Sequence, residues 1–237
     1  MTGAGAGIGA AVARRLAARG DRVVVADRDA AAAEAVAREV DGLAVVVDVT
    51  AEGAGDDLVA RTIERFGRLD VVVASAGVER VGPASSLPTG TVRDVLAVNV
   101  LGSYDVATAA GRRFQAQGGG GRVVLVGSVN SVRALPGQAA YATSKGAVLM
   151  LTRALAVDWA GDGITVNMVA PGVTDTAMSA GSLGDPDRRA ALLSRVPMGR
   201  PARPEDVAEA VAFLSSVEAG YVTGVCLPVD GGWLAAG

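Results

Sequence analysis

Six short apolar runs alternate along the chain with stretches of helical period, and this alternation predicts the fold. The runs are RVVVAD (22–27), LAVVVDVT (43–50), DVVVASAG (70–77), RVVLVGS (122–128), GITVNMVAPG (163–172) and GVCLPVDGG (224–232). Continuous apolar runs of this length are typical of strands buried on both faces, and strands separated by helices form parallel sheets. The pattern predicts an α/β protein with a doubly wound, Rossmann-type parallel sheet that is covered by helices on both faces.

A glycine-rich loop opens the chain. Residues 2–9 read TGAGAGIG, and the following AAVARRLAARG has a helical pattern. Glycines let a backbone approach a pyrophosphate closely, and the free amides at a helix N-terminus bind phosphate. Gly3, Gly7, Ile8 and Gly9 are therefore candidate cofactor-binding residues, although glycines in such a loop also form ordinary turns.

The strand that should deliver the chain to this loop is absent, because only Met1 stands before Thr2. That strand is central in a doubly wound sheet, and neighbouring strands lie ~4.8 Å apart, so its loss leaves a slot about twice as wide. We therefore expect the first strand to be missing from this chain and the natural protein to begin several apolar residues earlier.

Polar and small residues end the predicted strands, at the edge of the sheet where ligands bind. Asp27 lies eighteen residues after Gly9, close to the ~20 expected for a carboxylate that hydrogen-bonds an adenosine ribose. Such a carboxylate repels a 2′-phosphate and favours NAD over NADP, whereas the adjacent Arg28 is the kind of group that accommodates that phosphate. Asp27 can alternatively cap the helix that follows. Further candidates at this edge are Asp48, Val49, Ala76 and Gly77.

The candidate chemistry lies in residues 128–145, which read SVNSVRALPGQAAYATSK. If Tyr141 opens a helix, as the following GAVLMLTRALAVDWA indicates, Lys145 lies on the same face one turn later. A neighbouring cation favours the phenolate, which lowers the pKa of the phenol towards the working range of a general acid/base. Together with Ser128, this predicts proton transfer at an alcohol or carbonyl oxygen. The alternative is a helix start with an exposed tyrosine and a solvated lysine.

Other polar residues are candidate contacts near this chemistry. Asn99 is an amide within an apolar helical stretch, so it is buried or beside a cavity, where it organises water or bends the helix. Candidate substrate residues are Asn130 and Gln138, together with Glu79. Their polar side chains indicate a polar alcohol as the substrate, and the alternative is that they face solvent. Residues 176–200 mix apolar side chains with glycine and proline, as a substrate loop or lid does, and the alternative is a disordered surface loop.

Composition excludes several classes of function. The 237 residues contain no histidine and one cysteine, which excludes imidazole bases, Ser-His-Asp triads, disulfide frameworks and thiolate metal sites. The net charge of −3, with scattered arginines, gives no footprint for nucleic acid. No apolar run approaches the ~18 residues of a membrane span, and no secretion signal is visible. We expect a cytoplasmic protein with a single domain over residues 1–237.

The motifs occur together in one order and spacing that resembles the short-chain dehydrogenase/reductase family, in its compact single-domain form and with a likeness to 3-oxoacyl reductases. The likeness covers essentially the whole chain. The residues that carry it are Thr2, Gly3, Gly7, Gly9, Asp27, Asp48, Ala76, Gly77, Asn99, Ser128, Tyr141, Lys145, Pro171 and Gly172.

The resemblance implies a role for each residue. Tyr141 is the general acid/base, and Lys145 lowers its pKa and binds the nicotinamide ribose. Ser128 hydrogen-bonds the substrate oxygen, and Asn99 holds a water that links Lys145 to solvent. The cofactor site is completed by Pro171, Gly172, Val173 and Thr176, of which Thr176 contacts the carboxamide.

The expected activity is hydride transfer between NAD(H) and a secondary alcohol or ketone. Ala6 replaces a basic residue that is typical of NADP users in the family, which agrees with the carboxylate of Asp27. The alternatives are an NADPH-dependent reductase of 3-oxoacyl thioesters and a dinucleotide sensor without catalysis. The resemblance also implies a homotetramer or homodimer in which helices of residues 91–117 and 142–160 pair across a twofold axis, although their apolar faces can equally pack internally.

Overall fold

A computed structural model, which describes residues 1–236, places parallel strands at all six apolar runs. The strands are β1 (Val24–Asp27), β2 (Leu43–Val46), β3 (Val71–Ala74), β4 (Gly121–Val126), β5 (Ile164–Pro171) and β6 (Cys226–Val229). β1 pairs with β2, and β3, β4, β5 and β6 pair in that order, every pair being parallel. This is the doubly wound α/β arrangement that the sequence predicts.

Helices cover both faces of this sheet. They are α1 (Gly7–Ala18), α2 (Ala30–Glu39), α3 (Ala54–Phe66), α4 (Thr89–Leu96), α5 (Gly102–Gln117), α6 (Ala139–Trp159), α7 (Ala180–Leu183), α8 (Pro186–Leu193) and α9 (Pro204–Leu214). A π-helical segment, Ala97–Leu101, joins α4 to α5. Within residues 1–236, no helix combines the length and the hydropathy that a membrane crossing requires.

The strands are apolar on both faces because each face packs against helices. In β4, Val124 and Val126 belong to a core cluster with residues of α1 and α9. Val123 and Leu125, which point the opposite way, belong to a second cluster with residues of α5 and α6. The alternation of side chains along a strand thus places two apolar layers on one sheet.

The first two residues lie between β1 and β3 and join the two parts of the sheet. Thr2 forms parallel bridges to Ala26 and to Ala74. Its amide donates to Val73 O at 3.0 Å, and Ala26 N donates to Met1 O at 3.0 Å. These two residues therefore occupy the carboxyl-terminal end of the position that a central strand would fill.

The slot expected from the sequence is present beside Met1. A cavity of about 110 Å³ separates the two strands there, with Val23, Val24, Val71 and Val73 among its lining residues. The Met1 α-amino group donates to Val24 O at 2.8 Å. Burial lowers the pKa of this amine to about 5, so a group that is normally charged lies in poorly solvated surroundings.

Residues 176–200 are folded and carry two helices, α7 and α8, so the alternative of a disordered surface loop is wrong. Two apolar residues of this segment, Leu183 and Val196, are buried. A parallel bridge between Thr174 and Ala202 closes the base of the segment. The segment is thus anchored at both ends and by its own side chains.

Candidate active site

One cavity of about 820 Å³ lies at the carboxyl ends of the strands, where the sequence places the ligand edge. It gathers all of the predicted site residues except Asn99. The predicted residues that line it are Gly3, Gly7, Ile8, Gly9, Asp27, Arg28, Asp48, Val49, Ala76, Gly77, Ser128, Asn130, Gln138, Tyr141, Lys145, Pro171, Gly172, Val173 and Thr176.

The glycine loop forms a closely packed cradle at the start of α1. Gly3 has φ +62°, and a Cβ placed there would lie 2.7 Å from Ala76 N. A Cβ on Gly9 would lie 1.9 Å from Gly3 O, so only glycine fits that position. Ala6 precedes α1 without a side-chain cap, and the first turn holds no acidic residue. The unpaired amides of this turn therefore remain available for an anionic group, which fits the phosphates of a dinucleotide.

Asp27 holds this loop in place. One carboxylate oxygen of Asp27 accepts from Gly5 N at 2.9 Å, and the other accepts from Asp29 N at 3.1 Å. The cap of α2 is Asp29, which accepts from Ala32 N. The alternative that Asp27 caps the following helix is therefore wrong. Asp27 instead shapes the phosphate cradle and presents a carboxylate to the cavity.

Asp48 supplies a second carboxylate at the same edge. One of its oxygens accepts from Thr50 N at 2.9 Å and from Thr50 Oγ1 at 2.7 Å. These two hydrogen bonds lower the pKa of Asp48. The next residue, Val49, packs so closely on α5 that a Cβ on Gly102 would lie 2.7 Å from it. Asp48 is thus held ionised on a fixed piece of backbone.

Tyr141 and Lys145 lie one turn apart near the start of α6, as predicted. The Lys145 ammonium lies 5.6 Å from the centroid of the Tyr141 ring and donates to Val126 O at 2.8 Å. Lys145 is 5% exposed, and burial lowers its pKa to about 8. The alternative of an exposed tyrosine beside a solvated lysine is therefore wrong, because both groups line the cavity and the lysine is buried.

The expected lowering of the Tyr141 pKa is not found. Burial, and secondly the negative charge of Glu79, raise the pKa of Tyr141 to about 12, although a hydrogen bond with the Ser128 side chain opposes them. The Lys145 ammonium lies against the ring and is bonded to a backbone carbonyl, so it does not offset the desolvation of the phenol. Tyr141 is consequently a protonated phenol at neutral pH in this structure.

The Ser128 side chain is oriented by the backbone two residues further along the chain. It follows β4 in an extended conformation, with φ −167°, and its Oγ accepts from Asn130 N at 3.1 Å. Because the amide of Asn130 uses an acceptor site of Oγ, the Ser128 hydroxyl hydrogen is free to be donated elsewhere. The hydroxyl lies on the Tyr141 side of the cavity, where it opposes the rise in the pKa of the phenol.

Asn99 lies behind the cavity wall, within the π-helical segment, and is fully buried. Its Oδ1 accepts from Val78 N at 2.8 Å, and its Nδ2 donates to Val78 O and to Ser144 Oγ. The side chain therefore joins the end of β3 to α6, beside Lys145. π-Helical turns occur frequently at functional sites, and here the turn accompanies an amide whose hydrogen-bonding groups are all engaged.

A chain of polar side chains extends from Ser128 along the cavity. Gln138 Nε2 donates to Glu79 Oε1 at 2.6 Å. Asn130 Nδ2 donates to Gln138 Oε1, and Asn130 Oδ1 is buried without a hydrogen-bond partner among the described residues. Burial raises the pKa of Glu79, although the hydrogen bond from Gln138 opposes this. The substrate candidates therefore form one network that lines the cavity.

Sequence reasoning placed Met178 and Leu192 of the segment 176–200 at the cavity, which they line, but it missed one aromatic side chain of the wall. Trp233 lines the cavity and is 3% exposed, in a cluster with Val129 and Val196. The chain returns there through a turn in which Asp230 accepts from Gly232 N and Leu234 N. The aspartate and paired glycines directly before Trp233 predict a turn there, but they do not specify which part of the fold the tryptophan contacts.

The phosphate cradle and the Ser128, Tyr141 and Lys145 group share one cavity at the carboxyl edge of a parallel sheet. That combination defines a dinucleotide-binding enzyme of the α/β class. Among residues 1–236, no cluster of three or more His, Cys, Asp or Glu side chains is arranged to hold a metal ion.

Comparisons with known proteins agree with this class. The family described as enoyl-(acyl carrier protein) reductase matches residues 3–234. The chain is 41% identical to 2-(R)-hydroxypropyl-CoM dehydrogenase of Xanthobacter autotrophicus, covering 99% of this chain and 97% of that protein. It is 40% identical to galactitol 2-dehydrogenase (L-tagatose-forming) of Cereibacter sphaeroides, covering 98% and 93%.

Solved structures are similar over the same length. A putative NAD(P)-dependent gluconate 5-dehydrogenase from Beutenbergia cavernae, with bound NADP, has a TM-score of 0.93 at 40% identity, covering 99% of this chain and 95% of that one. A 3-ketoacyl-(acyl-carrier-protein) reductase from Brucella melitensis, complexed with NADH, has a TM-score of 0.92 at 35% identity, covering 98% and 96%.

The chain belongs to the short-chain dehydrogenase/reductase family, as its motifs indicate. The members of this family are oxidoreductases that act on small-molecule alcohols or ketones with NAD or NADP. The relatives with bound NADP and bound NADH leave the preference between the two cofactors open.

Proposed function

We propose that the protein interconverts a secondary alcohol and its ketone, with Tyr141 as the general acid/base and NAD as the preferred cofactor. The observation that carries this proposal is that Ser128, Tyr141 and the buried Lys145 line the same cavity as the phosphate cradle. A sensor that only binds a dinucleotide has no need of a proton donor and an oriented hydroxyl beside it.

The nicotinamide of a bound cofactor supplies or accepts the hydride in this reaction. In the direction of reduction, the protonated Tyr141 phenol donates its proton to the carbonyl oxygen of the substrate. Ser128 donates its free hydroxyl hydrogen to the same oxygen, which orients the carbonyl and stabilises the charge that develops on it. In the direction of oxidation, the same two groups act in reverse.

Lys145 adds a positive charge beside this proton transfer. Its ammonium uses one hydrogen for Val126 O, and its other hydrogens are available to a cofactor ribose hydroxyl. Gly77 leaves room for that contact, since a Cβ placed there would lie 3.6 Å from Lys145 Nζ. Asn99 supports the arrangement by fixing Val78, the residue after Gly77.

The preference for NAD rests on Asp27 and on the absence of a basic residue at Ala6. Both line the cavity next to Gly7. We expect NADH to bind at least about tenfold more tightly than NADPH, because the Asp27 carboxylate repels a 2′-phosphate. Energy transfer from Trp233, which lines the same cavity, to the reduced nicotinamide measures both affinities. NADPH binding that equals or exceeds NADH binding would refute the preference.

The variant Asp27→Asn removes the charge and is expected to narrow the difference between the two cofactors. Asp29→Asn is the matched control, since it removes an exposed charge two residues away while asparagine still caps α2. The control should keep the preference of the wild type. An equal change in both variants would attribute the effect to net charge and not to contact with the ribose.

The NADPH-dependent reduction of 3-oxoacyl thioesters stays a second candidate, because a 3-ketoacyl-(acyl-carrier-protein) reductase, solved in complex with NADH, shares 35% identity with this chain. The two functions are separated by assaying a panel of secondary alcohols with NAD and an acetoacetyl thioester with NADPH. Faster turnover of the thioester would favour the second candidate.

We further propose that the chain folds as one domain and associates as a homodimer or homotetramer through α5 and α6. Large apolar side chains are exposed at these helices: Tyr104 on α5, preceded by Leu101 at the end of the π-helical segment, and Met150 and Val157 on α6. Light scattering on the eluting protein is expected to give a mass of two or four chains. Charged substitutions at both Leu101 and Val157 should reduce that mass, whereas a monomeric wild type would refute the proposal.

A further inference from the structure

The polar network beside Ser128 has a fixed direction. Gln138 Nε2 donates to Glu79 Oε1, so the amide nitrogen of Gln138 points towards the carboxyl group. Gln138 Oε1 then faces Asn130 and accepts from Asn130 Nδ2. Asn130 Oδ1 is consequently the atom left over at the far end of the network. The network thus ends in an acceptor.

This network presents acceptors without matching donors. Asn130 is 6% exposed, and its Oδ1 has no partner among the described residues. Glu79 lines the cavity and forms no ion pair within residues 1–236. The guanidinium of the adjacent Arg80 donates to the Glu79 backbone carbonyl instead. A buried polar atom without a partner is unfavourable, so this part of the cavity matches a ligand that brings hydrogen-bond donors.

The network is also placed beside the reacting oxygen. Asn130 N donates to Ser128 Oγ at 3.1 Å, and Ser128 lines the cavity together with Tyr141. A hydroxyl on the carbon next to the reacting carbon is separated from the reacting oxygen by only three bonds, so it enters the cavity close to Ser128 and Tyr141. Glu79 and Asn130 line the same cavity as Ser128 and Tyr141, so each offers an acceptor to a substrate that is bound there.

We propose that Glu79, Gln138 and Asn130 form a specificity site that selects alcohols with a second hydroxyl on the carbon next to the reacting carbon. This inference rests on the proposed function. Glu79 contacts the second hydroxyl directly, whereas Gln138 positions Asn130. An anionic substituent at this position is rejected because it would face the Glu79 carboxylate without a cation between them.

The test compares butane-2,3-diol with butan-2-ol, which share one carbon skeleton and differ by the second hydroxyl. In the wild type, kcat/KM for the diol should exceed that for the monool by at least about tenfold, the size expected for a hydrogen bond to a charged group. In Glu79→Gln, the side chain keeps its size and still accepts from Gln138, but it presents an N–H donor to the substrate. The ratio of the two kcat/KM values should then fall to within about threefold of one.

Glu64→Gln is the matched control, because Glu64 is an exposed glutamate on α3, and it should leave the ratio unchanged. Taking the ratio removes any general effect of Glu79→Gln on proton transfer, and NADH binding by both variants reports on the fold. A wild-type ratio near one, or a ratio that Glu79→Gln leaves unchanged, overturns the proposal.

A binding measurement separates this proposal from the proposed function. Saturation-transfer NMR on the NADH complex should detect the diol with the wild type and with Glu64→Gln, and a much weaker signal with Glu79→Gln. If the wild type oxidises neither alcohol but this binding pattern is found, the proposed function fails and the specificity site stands. If the diol and the monool bind alike to the wild type, the specificity site is refuted.

Discussion

Replacing Tyr141 with phenylalanine is expected to lower kcat for alcohol oxidation and ketone reduction by at least ~10²-fold, the usual contribution of a general acid/base. Phenylalanine keeps the ring that packs against the Lys145 ammonium, 5.6 Å from the ring centroid. It removes only the hydroxyl that is proposed to exchange a proton with the substrate. Cofactor affinity should therefore change little, and the loss should appear in kcat.

Tyr104→Phe is the control for this prediction, because Tyr104 lies on α5 with 51% of its surface exposed and does not line the cavity. It should retain the activity of the wild type. Stopped-flow measurement of hydride transfer with NAD and a diol substrate gives the rate, and energy transfer from tryptophan to NADH gives the affinity. Turnover within threefold of the wild type in Tyr141→Phe would show that another group carries the proton.

The placement of the site could be predicted from the sequence because it depends on local patterns. Runs of valine between helical stretches specify parallel strands, and the residue that ends each run must lie at the carboxyl edge of the sheet. Asp27, Asp48, Gly77 and Ser128 therefore meet in one cavity although they are far apart in the chain. The proximity of Tyr141 and Lys145 could be predicted in the same way, because it depends only on where one helix, α6, begins.

The energetics of the site could not be predicted in the same way. The pKa of Tyr141 depends on how deeply the phenol is buried, on the charge of Glu79 and on where the Lys145 ammonium finds its acceptor. Each of these is a tertiary property. The spacing in the sequence predicted that Tyr141 and Lys145 lie one helical turn apart, as they do, but the predicted lowering of the phenol pKa is not found.

Two further features of the site could not be predicted from the sequence, because they also depend on tertiary contacts. Trp233 reaches the cavity through a turn near the end of the chain, and nothing in its local sequence specifies which wall it joins. The network of Glu79, Gln138 and Asn130 joins residues of two separate loops. Their polarity was visible in the sequence, whereas the direction of their hydrogen bonds follows only from their contacts.

An apolar extension ahead of Met1 is expected to stabilise the fold substantially. The cavity of about 110 Å³ lies between β1 and β3, whose edges on that side are joined only through Thr2 within the described residues. Four to six β-branched residues placed there would add a parallel strand and fill the cavity. At ~24 cal/mol per Å³ of cavity removed, the gain is ~2–3 kcal/mol, or a rise in Tm of roughly 5–10 °C.

The same extension should alter the dependence of stability on pH. In the chain that starts at Met1, burial lowers the pKa of the α-amino group from 8.0 to about 5. Between these two values the unfolded chain binds a proton that the folded chain does not, so the free energy of unfolding rises as the pH increases from 5 to 8. The contribution is on the order of 4 kcal/mol across that interval. Moving the α-amino group out of the slot should remove this pH-dependent contribution to the free energy of unfolding.

Denaturant unfolding at pH 5, 6.5 and 8 tests both effects, with a glycine-serine extension of equal length as the control. The control also moves the amine away from Val24 O but has no apolar side chains for the cavity. It should lose the rise in stability between pH 5 and 8 while gaining little at pH 8, where the amine is neutral in the folded state. The apolar extension should gain stability at every pH because it also fills the cavity. Equal stability of the two extended chains at pH 8 would show that the cavity does not accept a strand.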